Sequence, residues 1–213
     1  MKIVSSLGIV LLVLVVVWVL VSYMVDKKIQ QPTYTVVESK SSYEIRRYEP
    51  YMVATVTVSG SSERERTRRA FRLLTRYIFG GNSAKTSIEM TVPVQTETGS
   101  SVQIEMTAPV VTEQQESELT MSFVLPKRFT LENAPKPLTP EVKLKQKLVT
   151  ITAAKRFTGI ISEENSRRHK RILVDAVEAD GLETLSSPQI LQYNQPWVFP
   201  WLRRNEVSIE IKG

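Results

Sequence analysis

From Ile3 to Val25 the chain runs for 23 residues without a charged side chain. At a rise of about 1.5 Å per residue, a helix of this length crosses a hydrocarbon core of about 30 Å. The run is longer than the roughly 7 to 15 residues of a secretory signal core, and it ends in Val21-Ser22-Tyr23-Met24-Val25 without a small-residue cleavage pattern. We therefore read residues 1–25 as an uncleaved single-pass membrane anchor, with Tyr23 suited to the interfacial aromatic belt. Lys2 flanks one end, while Lys27 and Lys28, offset by Asp26, flank the other. Everything functional lies C-terminal to the anchor, on a side that we take as external. Residues 26–33, including Gln30-Gln31-Pro32-Thr33, form a polar linker, and one folded domain spans 34–213.

Composition narrows the chemistry of that domain. There is no cysteine and only one histidine, which excludes disulfides, thiolate zinc or iron–sulfur sites, a cysteine nucleophile and any site that needs two imidazoles. Twenty-eight Lys+Arg against 22 Asp+Glu give a net charge of +6, which suits an anionic small ligand or an acidic lipid surface. With no helix-turn-helix or aromatic RNA-binding pattern, we expect no nucleic-acid partner.

The local signals are mixed α+β. Tyr43 to Val58 alternates and is rich in β-branched and aromatic residues, predicting strands broken at Glu49-Pro50. Ser62-x-x-Glu65 is a capping box, followed by Ala70, Leu73, Leu74, Tyr77 and Ile78 at helical spacing and stopped by Gly80-Gly81. Strands are expected at Ile88 to Val94 and Val102 to Val110 around a turn at Glu97-Thr98-Gly99-Ser100, then at Leu119 to Leu125. Asn133 to Pro140 is a proline-rich connector. Leu148 to Ile161 then reads as strand, Ser162 caps a helix ending at Gly181, and Glu206 to Ile211 is a final strand. Two similar strand-helix-strand halves follow, their strands combining into a distorted antiparallel β-barrel flanked by two long helices.

The segments Ile88-Glu-Met-Thr-Val-Pro-Val94 and Ile104-Glu-Met-Thr-Ala-Pro-Val110 are near duplicates. Centred on Thr98, they place Met90 opposite Met106 on an apolar face, with Glu89 and Glu105 on the solvent side. Paired thioethers are either plain core filling or the wall of a pocket for a flat aromatic ligand, and thioether sulfur is also a haem ligand. On the first helix, at about 100° per residue, Arg64, Arg68, Phe71, Thr75 and Ile78 form a second face beside the core-facing one. That stripe either seats a hydrophobic dianion, with Phe71 and Ile78 against its ring and Arg68 or Arg72 on its carboxylates, or is a solvated basic face. His169 lies among Arg167, Arg168, Lys170 and Arg171, whose charges keep it neutral. It is either a surface residue or an iron ligand. No catalytic constellation stands out, so the domain is expected to be no enzyme.

These residues resemble the SOUL, or haem-binding-protein, family. The resemblance rests on Tyr43-Glu44-Ile45-Arg46, Tyr77-Ile78-Phe79-Gly80-Gly81-Asn82, the two I-x-M-T-x-P-V segments, Met121-Ser-Phe-Val-Leu-Pro126 and Pro196-Trp197-x-x-Pro200-x-x-Arg203-Arg204-Asn205-Glu206-Val207, and covers about residues 34 to 213. It implies non-covalent binding of haem or another tetrapyrrole in a groove beside the first helix, formed here by Arg68, Phe71, Thr75 and Arg76 with Val198 on the facing loop. Phe71 and Thr75 stand where related members carry methionines, and Val198 where a lysine can occur. No helix histidine here matches the axial ligand proposed in some members. A small hydrophobic ligand other than haem, or a ligand-free module using its basic helix on a lipid or protein surface, are the alternative readings.

Overall fold

The computed structural model describes residues 13, 16–19, 30–98, 118–194 and 198–213. The expected anchor lies largely outside these residues, of which Val13 and 16–19 are helical. Among the described residues no helix is long and apolar enough to cross a membrane.

From the linker onward the order is β1 (Tyr34–Ser39), β2 (Glu44–Tyr48), β3 (Tyr51–Ser59), α1 (Glu63–Ile78), β4 (Val94–Thr98), β5 (Glu118–Val124), β6 (Lys143–Lys147), β7 (Thr150–Phe157), α2 (Glu163–Ala179), β8 (Gln189–Gln192) and β9 (Asn205–Glu210). All strand pairs are antiparallel, in the spatial order β1-β2-β7-β9-β8-β4-β5-β3-β6. The sheet curls strongly. Lys147 on the β6 edge reaches Glu210 of β9 at 3.1 Å, and the rings of Tyr48 and Tyr51 lie 6.2 Å apart although β2 and β3 are far apart in the strand order. Among the described residues β1 and β6 remain edges, so the expected barrel is an open half-barrel.

The duplication is visible in the pairing. In one half β5 lies between β3 and β4, with α1 following β3; in the other β9 lies between β7 and β8, with α2 following β7. The β4–β8 pair joins the halves. The strand that opens each half is exchanged: β2 pairs with β7, and β6 pairs with β3. Two expected elements are corrected. The second half has two strands after its helix, because β8 precedes β9. Ile88 to Pro93 is an irregular connection and not a strand: the Thr91 hydroxyl donates to the Val124 carbonyl and the Val92 N–H to the Gln30 carbonyl, so these groups are satisfied outside the ladder. Thr98, expected at the centre of a turn, pairs with Leu119 inside the sheet, and the expected strand 102–110 with Met106 lies outside the described residues.

Each helix buries one stripe on the outer face of the sheet. Ala70, Leu74, Tyr77 and Ile78 of α1 pack with Met52, Val56, Met121 and Phe123 in one core, and Leu173 and Val177 of α2 pack with Phe157, Ile190, Val207 and Ile209 in the other. Both helices start where the sequence says. Ser62 accepts a hydrogen bond from the Glu65 N–H and Ser162 from the Asn165 N–H. The box at α1 closes one residue early, with the Glu65 carboxylate accepting from the Ser61 hydroxyl at 2.6 Å. At the other end of α1, Gly80 takes φ 103°, and a Cβ on Gly81 would lie 2.6 Å from the Arg76 carbonyl oxygen.

Candidate functional site

The N-terminal halves of α1 and α2 stand on either side of the β4–β8 seam and leave an open groove of about 770 Å³. Thr96 of β4 lies opposite Ile190 of β8, and these two with Gln192 form the floor. The α1 wall carries Glu63, Arg64, Thr67, Arg68 and Phe71, and the α2 wall carries Glu163, Ser166 and Lys170. Phe71 remains 43% exposed and rests edge-on against Phe123, with ring centroids 5.6 Å apart. It presents an aromatic face from a fixed support. The buried Thr96 hydroxyl has no partner among the described residues, so the floor offers one uncommitted polar atom.

Positive charge comes from both walls, Arg64 and Arg68 on one side and Lys170 on the other, interspersed with Glu63 and Glu163. Burial lowers the Lys170 pKa below the usual lysine value, while the charges of Glu63 and Glu97 oppose that shift. A partly desolvated ammonium interacts more strongly with an acid group than one in open water. The groove therefore combines an aromatic surface, a floor of mixed polarity and cations on opposing walls. That combination suits a flat hydrophobic ligand with acidic substituents.

The structure sorts the sequence-derived residues. Arg68 and Phe71 line the groove, and Arg64 of the same stripe joins them. Arg72 and Arg76 are exposed on α1 outside its lining. Thr75 is half-buried, and its hydroxyl donates back to the Phe71 carbonyl at 2.8 Å. Ile78 is a correction: it lies 1% exposed in the first core, covered where the chain returns and the Ile88 N–H donates to its carbonyl at 2.7 Å. Val198 is also buried, its carbonyl accepting from the Arg203 guanidinium at 2.8 Å. His169 stacks on Phe157 with ring centroids 4.0 Å apart. Burial, then Arg168 and Lys155, lowers its pKa, so it is neutral as expected, but it stands outside the groove lining. Met90 packs against the first core, and Glu89 faces solvent and pairs with Arg128. Lys170 was hidden in the run Arg167 to Arg171. Its spacing from Glu163 and Ser166 puts the three on one helix face, a signal readable only once that face is known to look toward α1.

Comparisons with known proteins agree with this architecture. The chain superposes on the EcmrR C-terminal domain with a TM-score of 0.58 at 9% identity, covering 84% of this chain and 98% of that one. A hydrolase from Listeria innocua matches with a TM-score of 0.54 at 13% identity, covering 83% and 94%. An uncharacterized conserved protein from Listeria innocua gives 0.51 at 14%, covering 81% and 93%. Such identities establish a shared fold alone. No curated protein matches the chain. The sequence profile described as SOUL heme-binding protein matches residues 29–210, which takes in both halves of the sheet, both helices and the groove between them, and the chain therefore belongs to the SOUL family.

Proposed function

We propose that the groove between α1 and α2 binds haem or another tetrapyrrole non-covalently, as cargo of a carrier held at a membrane by residues 3–25. The observation that carries this reading is the exposed Phe71 ring flanked by Arg64 and Arg68 on one wall and Lys170 on the other. Family membership supports the ligand class. The residues present fit a tetrapyrrole by packing and by pairing with its carboxylates. Among the described lining residues no His, Met or Tyr offers iron a strong axial ligand. Affinity then comes from the ring and the acid groups, so metal-free or zinc protoporphyrin binds nearly as well as ferric haem. We read the groove as a binding site and not as a catalytic one, because no hydrogen-bonded nucleophile and base meet among its described lining residues.

Optical titration with hemin and with zinc protoporphyrin tests the reading. Phe71→Asp is expected to weaken both ligands at least tenfold by setting a carboxylate against the ring, a cost of about 1.4 kcal/mol or more. Arg68→Glu is expected to weaken both further at low salt than at high salt. His169→Ala leaves the Soret band unchanged. Absence of saturable binding, or equal affinity in wild type and both groove variants with unchanged circular dichroism, would overturn the assignment in favour of a ligand-free interaction module or a site elsewhere.

The anchor is tested separately. The full-length chain is expected to remain with membranes after carbonate extraction, with its domain open to protease from the external side. Release of the intact chain by carbonate would remove the anchor from the reading without touching the groove.

A further inference from the structure

The linker is not a loose tether. The Val92 N–H donates to the Gln30 carbonyl at 3.0 Å, the Arg204 guanidinium to the Gln31 side-chain oxygen at 3.3 Å, the Glu49 N–H to the Thr33 carbonyl at 3.0 Å and the Lys127 ammonium to the Thr33 hydroxyl at 2.6 Å. Only residues 26–29 separate this docked segment from the end of the uncharged run. Fully extended, the step from Val25 to Gln30 covers at most about 18 Å. A membrane holding residues 3–25 therefore lies close to the face that holds Gln30 and Gln31.

That same face carries an apolar turn. Phe199 packs on Trp201 with ring centroids 5.1 Å apart, Trp201 is 73% exposed, and Leu202 is exposed beside it. Arg204, which follows the turn, ties it to Gln31. Trp18 of the uncharged run meets the Phe199 ring edge-on, with centroids 5.0 Å apart. In a spanning helix that ends near Val25, Trp18 lies about 10 Å inside the boundary. Phe199 can reach it only if the turn itself enters the outer part of the bilayer, a depth of about 5 to 10 Å that is typical of interfacial apolar groups. Beside the turn, Gln30, Gln31, Pro126, Lys127 and Arg128 enclose a recess of about 390 Å³, whose two cations suit anionic headgroups.

We propose that the Phe199–Leu202 turn, with the docked linker and the Pro126–Arg128 segment beside it, is a lipid-facing surface of the domain that inserts Trp201 and Leu202 into the bilayer interface. This rests on the anchor proposed above. It fixes the distance of the domain from the membrane and presents the groove at a defined height, where a hydrophobic ligand passes between lipid and protein.

The test uses the full chain in lipid vesicles with Trp18→Phe and Trp197→Phe, which leaves Trp201 as the sole tryptophan. The expected result is a blue-shifted Trp201 emission that acyl chains brominated near the headgroup quench and aqueous iodide does not. Quenching by iodide alone, with the chain still vesicle-bound, overturns the proposal while leaving the anchor intact. Protection from both quenchers overturns it too and points to a second copy covering the turn. A chain that fails to float with the vesicles overturns the anchor and the insertion together.

Discussion

Replacing Glu206 by alanine is expected to destabilise the domain by about 3 to 5 kcal/mol, measured as the free energy of urea unfolding of the full chain in detergent at pH 7. Glu206 is 0% exposed on β9, and its carboxylate accepts from Arg46 at 2.7 Å, from Arg204 at 2.9 Å and from the Tyr193 hydroxyl at 2.9 Å. Removing it strands the buried Arg46 guanidinium, whose remaining acidic partner Glu44 is half-exposed to water. Burial alone would raise the Glu206 pKa, but the hydrogen bonds and charges of Arg46 and Arg204 outweigh it and hold the carboxyl below the usual glutamate value. A lowered folded-state pKa contributes stability that is present above the unfolded value of about 4.3 and is lost as pH falls through the folded one. Wild type should therefore lose stability on acidification below about pH 4, and Glu206→Gln should show less of that acid limb while starting from a lower stability at neutral pH. A loss below about 1 kcal/mol in Glu206→Ala would mean that water or a shifted side chain replaces the carboxylate.

Leu74→Ala is expected to cost about 2 to 5 kcal/mol by the same measurement. Leu74 is fully buried under α1 against the first core, so its truncation leaves a void that the packed strands fill only in part. The effect should reach the groove, because the same core holds the wall that carries Arg68 and Phe71. Porphyrin affinity is expected to fall in Leu74→Ala as well, by less than in Phe71→Asp.

What the sequence disclosed, and what it hid, follows from which forces act locally. Both helices were legible because Ser62 and Ser162 satisfy their first N–H groups within three residues and the apolar positions recur with the helical period. Strands with an alternating face, such as β3 and β5, were legible for the same reason. Strand β6, Lys-Leu-Lys-Gln-Lys, escaped because it is an edge whose charges keep other chains from pairing with it, a role that carries no hydrophobic period. Strand β8 has four residues, too few for a period to show. Ile88 to Pro93 reads as a strand by composition, yet its bonds go to the end of α1, the linker and the end of β5, and nothing local specifies those partners. In the groove, Arg68 and Phe71 were accessible from one helix wheel. Lys170, Thr96 and Ile190 belong to it only because two distant segments meet across the β4–β8 seam.

The exchanged opening strands set a constraint on how the chain is made. On one side β2 pairs with the neighbouring β1, but its partner on the other side is β7, and Arg46 finds Glu206 only 160 residues later. During synthesis the first half emerges with β2 unable to pair on that side and with β3 lacking β6, so its edges stay open until most of the chain has left the ribosome. Neither half is a self-sufficient intermediate, and pairing over such separations folds slowly. An emerging chain of this kind depends on being kept from its neighbours, and two chains made side by side have an opportunity to trade β2 or β6 with each other and close the same sheet across two molecules.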